Sequence, residues 1–122
     1  MALGHLQQII VNAADSARLA RFWAVVLGGT PIDRGDGWSV LEASPLHPQI
    51  AFQPDPRPKA DRNRLHLDVQ VTDIPAATAE AEAAGARRLG DIVTDEEGSF
   101  QVLADPEGNE FCLVIPVPQS KA

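Results

Sequence analysis

An internal repeat constrains this chain more than any other feature. Residues 8–15 (QIIVNAAD) and 66–73 (HLDVQVTD) each read as a strand running into a helix-capping aspartate. Each copy then passes through an Ala-rich stretch to a glycine, at Leu27-Gly28 and Ala84-Gly85, and later reaches a Val-Leu strand, a proline turn and a last strand. The copies begin about half a chain apart. Two repeats are too few for a solenoid, whose units bury their faces on successive neighbours. They suit one pseudo-symmetric domain of two halves, and a pocket between half-domains is a common seat for a small molecule.

In the first half, residues 8–13 are strand-like and Asp15 is a good N-cap, because its carboxylate can accept backbone N–H bonds. Leu19, Phe22, Trp23, Val26 and Leu27 recur at helical spacing on one stripe, which Gly28-Gly29 ends with a positive-φ stop. Gly35-Asp36-Gly37 reads as a turn between strands at 30–34 and 38–43, and Pro45 and Pro48 bracket the next turn, which holds His47. Residues 48–53 are the last strand of the half. The second half repeats the order: strand 65–71, cap Asp73, Pro75 in the first turn, helix to Ala84, stop at Gly85. Strands at 87–93 and 99–104 then flank the acidic turn Asp95-Glu96-Glu97-Gly98, and residues 105–109 (DPEGN) turn into a strand at 110–115. Each half is therefore β-α-β-β-β. One domain results, with a first module at about 4–53, a linker at 54–63, a second module at about 64–116 and a tail at 117–122 that has little to bury and frays.

Composition excludes several partners. A formal net charge of −7 opposes nucleic acid and anionic membranes, since phosphate contacts need clustered Lys and Arg. Arg57, Lys59, Arg62 and Arg64 do cluster, but Asp55, Asp61 and several prolines interrupt them, so a solvated linker is favoured over an anion site. No basic and apolar leader opens the sequence, and no apolar run approaches bilayer length. Together with a lone cysteine, Cys112, this predicts a soluble, cytoplasmic protein.

Side chains alternate across a strand, so the two faces can be read separately. Leu65, Leu67, Val69 and Val71 form an apolar face suited to a helix, leaving His66, Asp68 and Gln70 on the other. The split recurs as Ile9, Val11 and Ala13 against Gln8, Ile10 and Asn12, and as Phe111, Leu113 and Ile115 against Glu110, Cys112 and Val114. Ile50 and Phe52 likewise oppose Gln49, Ala51 and Gln53. If helices cover the apolar faces, the mixed faces line whatever the sheets curve around, a cavity with a few convergent polar groups.

Asp15 through Phe22-Trp23 to Leu27-Gly28, residues 64–68 (RLHLD) and residues 105–111 (DPEGNEF) together resemble the vicinal oxygen chelate superfamily of glyoxalases, bleomycin-resistance proteins and extradiol dioxygenases, in its glyoxalase-like branch. The resemblance covers almost the whole chain. It implies an α+β fold of two βαβββ modules whose curved mixed sheets form a cup-shaped ligand cavity, commonly in a homodimer. Metal-using members take ligands from the first and last strands of each half, and the matching positions here are Gln8, Gln49, His66 and Glu110. His66 and Glu110 suit a divalent Zn, Fe, Ni or Mn ion; the amides are neutral, weaker donors, and two of them depart from the family pattern.

Each residue also has a plainer reading. His66 is a metal ligand or a cavity-lining histidine bonded to a neighbour. Glu110 is a ligand, a general base or the partner of a cationic ligand. Gln8, Gln49 and Gln53 are ligand-orienting amides or surface ones, and Trp38 is a stacking surface or an ordinary core aromatic. Trp23 is core, His5 and His47 are solvent-exposed, and Cys112 is a small apolar wall rather than a nucleophile. Two functions follow. In one, a metal polarises a small oxygenated substrate while Glu110 moves a proton, giving lyase, isomerase or dioxygenase chemistry. In the other, the cup sequesters an antibiotic or metabolite without metal or turnover. The His66/Glu110 pair favours the first and the two glutamines the second.

Overall fold

Alternating apolar residues in β1 (Gln8–Ala13) deliver Ala13 into the interior and leave Ile10 half exposed on the opposite face. The computed structural model describes residues 6–59, 63 and 66–117. After β1, Asp15 caps α1 (Ser16–Leu27) by accepting the Arg18 N–H at 3.1 Å, and Gly28 ends it at φ +80° while its N–H bonds Ala24 O at 2.8 Å. The helix stripe then packs on a sheet of β1, β2 (Pro31–Asp33), β3 (Ser39–Leu41) and β4 (Gln49–Pro54), in the order β1-β4-β3-β2. β1 runs parallel to β4 and the other pairs are antiparallel. Leu19, Phe22 and Trp23 from the helix are buried, as are Leu41, Ile50 and Phe52 from the sheet. Each such side chain contributes about 1.5–3 kcal/mol by leaving water. Arg21 clamps Asp33 through two bonds of 2.9 and 3.0 Å, and buried Ser39 donates to the same carboxylate at 2.8 Å.

The second unit repeats this plan. β5 (Leu67–Gln70) leads to α2 (Ile74–Ala83), where Asp73 accepts the Ala76 N–H at 3.0 Å and proline occupies the first turn. β6 (Arg87–Arg88), β7 (Val93–Asp95), β8 (Gly98–Ala104) and β9 (Glu110–Pro116) complete a sheet of order β5-β9-β8-β6, with β7 also on β8. β5 and β9 are parallel, as β1 and β4 are. Ile74, Thr78 and Ala81 of α2 are buried, as are Leu103, Phe111 and Leu113 of the sheet. The fold is therefore α+β, with two mixed sheets, each carrying one helix. The contact network divides between Pro58 and Lys59, inside the stretch read as a linker.

The strand expected at 87–93 is not continuous. Residues 89–92 face only Gln101 and Val102 of β8, so the edge strand bulges between β6 and β7. Gln101, only 2% exposed, holds the bulge: its Nε2 donates to the Gly90 carbonyl at 2.8 Å, and its Oε1 accepts from buried Thr78 Oγ1 at 2.8 Å. The strand ends also shift, since Pro54 belongs to β4 and Pro116 to β9, and Val117 N–H bonds Glu97 O at 2.9 Å. The rest of the tail expected to fray lies outside the described residues.

Asp105 organises the turn at 105–109. Buried at 3% exposure, its Oδ1 accepts the Glu107 and Asn109 backbone N–H groups, both at 2.9 Å, and its Oδ2 accepts Asn109 Nδ2 at 2.9 Å. That turn fixes where β9, and hence Glu110, begins.

Candidate functional site

Parallel pairing of the first and last strand sets which polar side chains become neighbours in each unit. In the first, Gln8 stands opposite Gln49, Ile10 opposite Ala51 and Asn12 opposite Gln53. The two amides meet directly: Gln49 Nε2 donates to Gln8 Oε1 at 2.7 Å. Gln53 is exposed, and extending the β3–β4 register by one residue puts half-buried Trp38 level with it. This face is thus a row of amides with an aromatic at its edge, while Val40 and Ala51 between them are buried.

In the second unit Asp68 stands opposite Cys112 and Gln70 opposite Val114. Extending that register by one residue brings His66 level with Glu110, as Gln8 is level with Gln49. His66 Nε2 lies 3.3 Å from Asp68 Oδ1, two residues on along the same face. One donor atom from each of His66, Asp68 and Cys112 falls within 4.8 Å of the others. Burial, and then the Asp68 and Glu110 carboxylates, push the half-buried Cys112 thiol above its ordinary value. Raised in this way, it is a poor nucleophile. The backbone carbonyl of Glu110 accepts Asn63 Nδ2 at 3.3 Å.

The alternation of each strand identifies Asp68 and Cys112 as members of polar faces, but sequence alone does not make them neighbours of each other and of His66. The parallel register of β5 and β9 does. His47 departs from its expected exposure. Its Nδ1 lies 2.6 Å from the Pro48 carbonyl and so carries the proton, while Nε2 is buried without a hydrogen-bond partner among the described residues. The Ser44–His47 turn folds back over Gly29, where an added Cβ would lie 3.5 Å from Nε2. Arg57 pairs with Asp55 at 2.9 Å. His5, Arg62 and Arg64 lie outside the described residues.

The donor chemistry separates the units as metal binders. His66, Asp68 and Cys112 supply nitrogen, oxygen and sulfur donors that converge and fit a divalent ion, whereas Glu110, level with His66 on the strand pair, is not part of that cluster among the described residues. Gln8 and Gln49 supply neutral amides that already bond each other.

The model of the "Glyoxalase-like domain" family matches residues 8–114. "Putative glyoxylase CFP32" of Mycobacterium bovis and its counterpart in Mycobacterium tuberculosis are each 32% identical over 103 residues, covering 80% of this chain. The match spans 39% of the length of those relatives. A glyoxalase/bleomycin resistance protein/dioxygenase family enzyme from Burkholderia phytofirmans superposes with a TM-score of 0.77 at 18% identity, over 91% of this chain and 98% of that one. A glyoxalase-related enzyme from Fulvimarina pelagi gives 0.70 at 17% identity, over 92% and 88%. At such identities the structural likeness speaks for the fold alone. No helix among the described residues is long and apolar enough to cross a membrane.

Proposed function

We infer, from the premise that this chain belongs to the glyoxalase-like domain family of the vicinal oxygen chelate superfamily, that it binds a small oxygenated organic molecule and acts on it with a divalent metal. One observation carries the reading: the polar faces of the two units differ in kind. The second presents His66 level with Glu110 at the start of its parallel strand pair, and the first presents the bonded amides Gln8 and Gln49 at the equivalent place. His66 and Glu110 hold the metal in this reading. The metal, when bound, polarises a carbonyl or enediolate oxygen.

The chain's own groups do the rest. The Glu110 carboxylate takes or returns a proton. Gln8, Gln49 and Gln53 orient the substrate by amide hydrogen bonds, and Trp38 offers a stacking surface. The class is lyase, isomerase or dioxygenase. By the same family resemblance the protein is a homodimer, for which sedimentation equilibrium should return about twice the 13.1 kDa chain mass.

A second reading has an observation of its own. Because Gln49 already satisfies Gln8, the amide row works as a metal-free hydrogen-bonding platform, as a sequestering protein needs. Elemental mass spectrometry on untagged protein decides between them. Near-stoichiometric metal, lost in the His66→Ala/Glu110→Ala variant, is expected for the enzyme. Its absence after Fe²⁺, Zn²⁺, Ni²⁺ and Mn²⁺ have been offered leaves sequestration.

A further inference from the structure

We propose that His66, Asp68 and Cys112 form a three-donor site for a soft divalent cation of the Zn²⁺ type, complete within the second unit. It rests on the reading above for a metal held at His66, but replaces Glu110 in the ligand set with Asp68 and Cys112 and leaves Glu110 as the base alone.

Register makes the argument. Asp68 and Cys112 are direct cross-strand partners in β5 and β9, and His66 lies two residues before Asp68 on the same face. Their convergence is thus set by backbone pairing, with side-chain rotamers needed only for the last adjustment. Tetrahedral Zn²⁺ with Zn–N near 2.0–2.1 Å, Zn–O 2.0–2.2 Å and Zn–S about 2.3 Å puts its donors roughly 3.3–3.6 Å apart. His66 Nε2 and Asp68 Oδ1 already lie at 3.3 Å, and all three donor atoms are within 4.8 Å. Closing the set therefore needs a thiol movement of no more than about 1.5 Å, within the reach of a χ1 change.

Charge and softness agree. A neutral imidazole, a carboxylate and a thiolate carry two negative charges, which balance a divalent cation, and binding releases the thiol proton to solvent. Thiolate with imidazole favours Zn²⁺ over Mg²⁺, Ca²⁺ or Mn²⁺. Three protein ligands leave the fourth position to water or a substrate oxygen.

The repeat supplies an internal control. At the equivalent places the first unit carries Gln8, Ile10 and Ala51, so a strand pair of this kind folds without a carboxylate or a thiol there. The donors in the second unit are not a requirement of the sheet.

Co²⁺ replaces Zn²⁺ as a visible probe, added to reduced, chelator-treated full-length protein. The expected result is a near-ultraviolet thiolate-to-cobalt charge-transfer band that saturates at one equivalent and is displaced by Zn²⁺. Cys112→Ala, which installs the residue of the first unit, should abolish the band and weaken binding by more than about 100-fold, beyond the 10–100-fold typical of outer-shell changes. Asp68→Asn should weaken it as well, while Glu110→Gln and Gln8→Ala/Gln49→Ala should keep the band, with circular dichroism confirming that each variant is folded. Co²⁺ bound without the band, and lost in Glu110→Gln, overturns this ligand set and leaves the family-type set standing. No binding to folded wild type overturns both.

Discussion

Asp55 closes β4 with most of its bonding capacity in use. Its carboxylate accepts from Arg57 Nε and Nη2 at 3.0 and 2.9 Å and from Asn12 Nδ2 at 3.2 Å, while its backbone N–H reaches Ala13 O at 2.9 Å. The Arg57 side-chain and backbone bonds lower its pKa from 3.8 to about 2. A carboxylate whose folded pKa lies below its unfolded one adds stability that is fully present above the unfolded value and is lost as pH falls through the folded one. Thermal unfolding of wild type and Asp55→Asn should therefore differ most above about pH 5 and converge only below about pH 2. A gap unchanged across that window would mean that the charge does not matter. Asn12 lies on the polar face of β1, so this linker carboxylate also fixes one member of the amide row.

Among the elements, β8 carries the most specific device. Gln101 ties the edge bulge to α2 through Gly90 and Thr78, and removing its amide strands the buried Thr78 hydroxyl, while the carbonyl of exposed Gly90 is left to solvent. For the one buried group left unsatisfied, Gln101→Leu should cost about 1–3 kcal/mol in urea unfolding. Gln101→Leu/Thr78→Val should cost less than the single change, because the stranded hydroxyl is gone; a double variant no better than the single one would refute the coupling. At the other end of β8, Gly98 has φ +134°, and an added Cβ would run into the Ile115 carbonyl and Pro116 Cα. Gly98→Ala should cost on the order of 1–3 kcal/mol and loosen the β8–β9 pairing, read as faster amide exchange at Val114, Ile115 and Val117.

At the scale of the whole molecule, metal binding and folding are linked. An ion bound only by the native state stabilises it by about 2.7 kcal/mol at a hundredfold excess over Kd. Zn²⁺ at that concentration should raise the midpoint of thermal unfolding by several degrees, a chelator should reverse the rise, and His66→Ala should remove it. A midpoint indifferent to Zn²⁺ would count against a metal in the second unit.

The sequence by itself determines the repeat, both helices with their Asp15 and Asp73 caps, the α+β class, and which residues of β1, β4, β5 and β9 face away from the helices. These follow from local rules: a capping side chain acts within its own turn, and alternation is a property of one strand. Strand limits were less legible, and the bulge at 89–92 was hidden because Gln101 and Gly90 interact through a side chain across two strands. The tertiary structure alone decided that Gln8 bonds Gln49, that His47 turns its Nε2 inward over Gly29, and that Asp68 and Cys112 meet beside His66. The first and last depend on the register between strands distant in sequence, and the second on a turn meeting the chain just past α1; both are set by the packing of a whole sheet against its helix, which no short stretch of residues encodes.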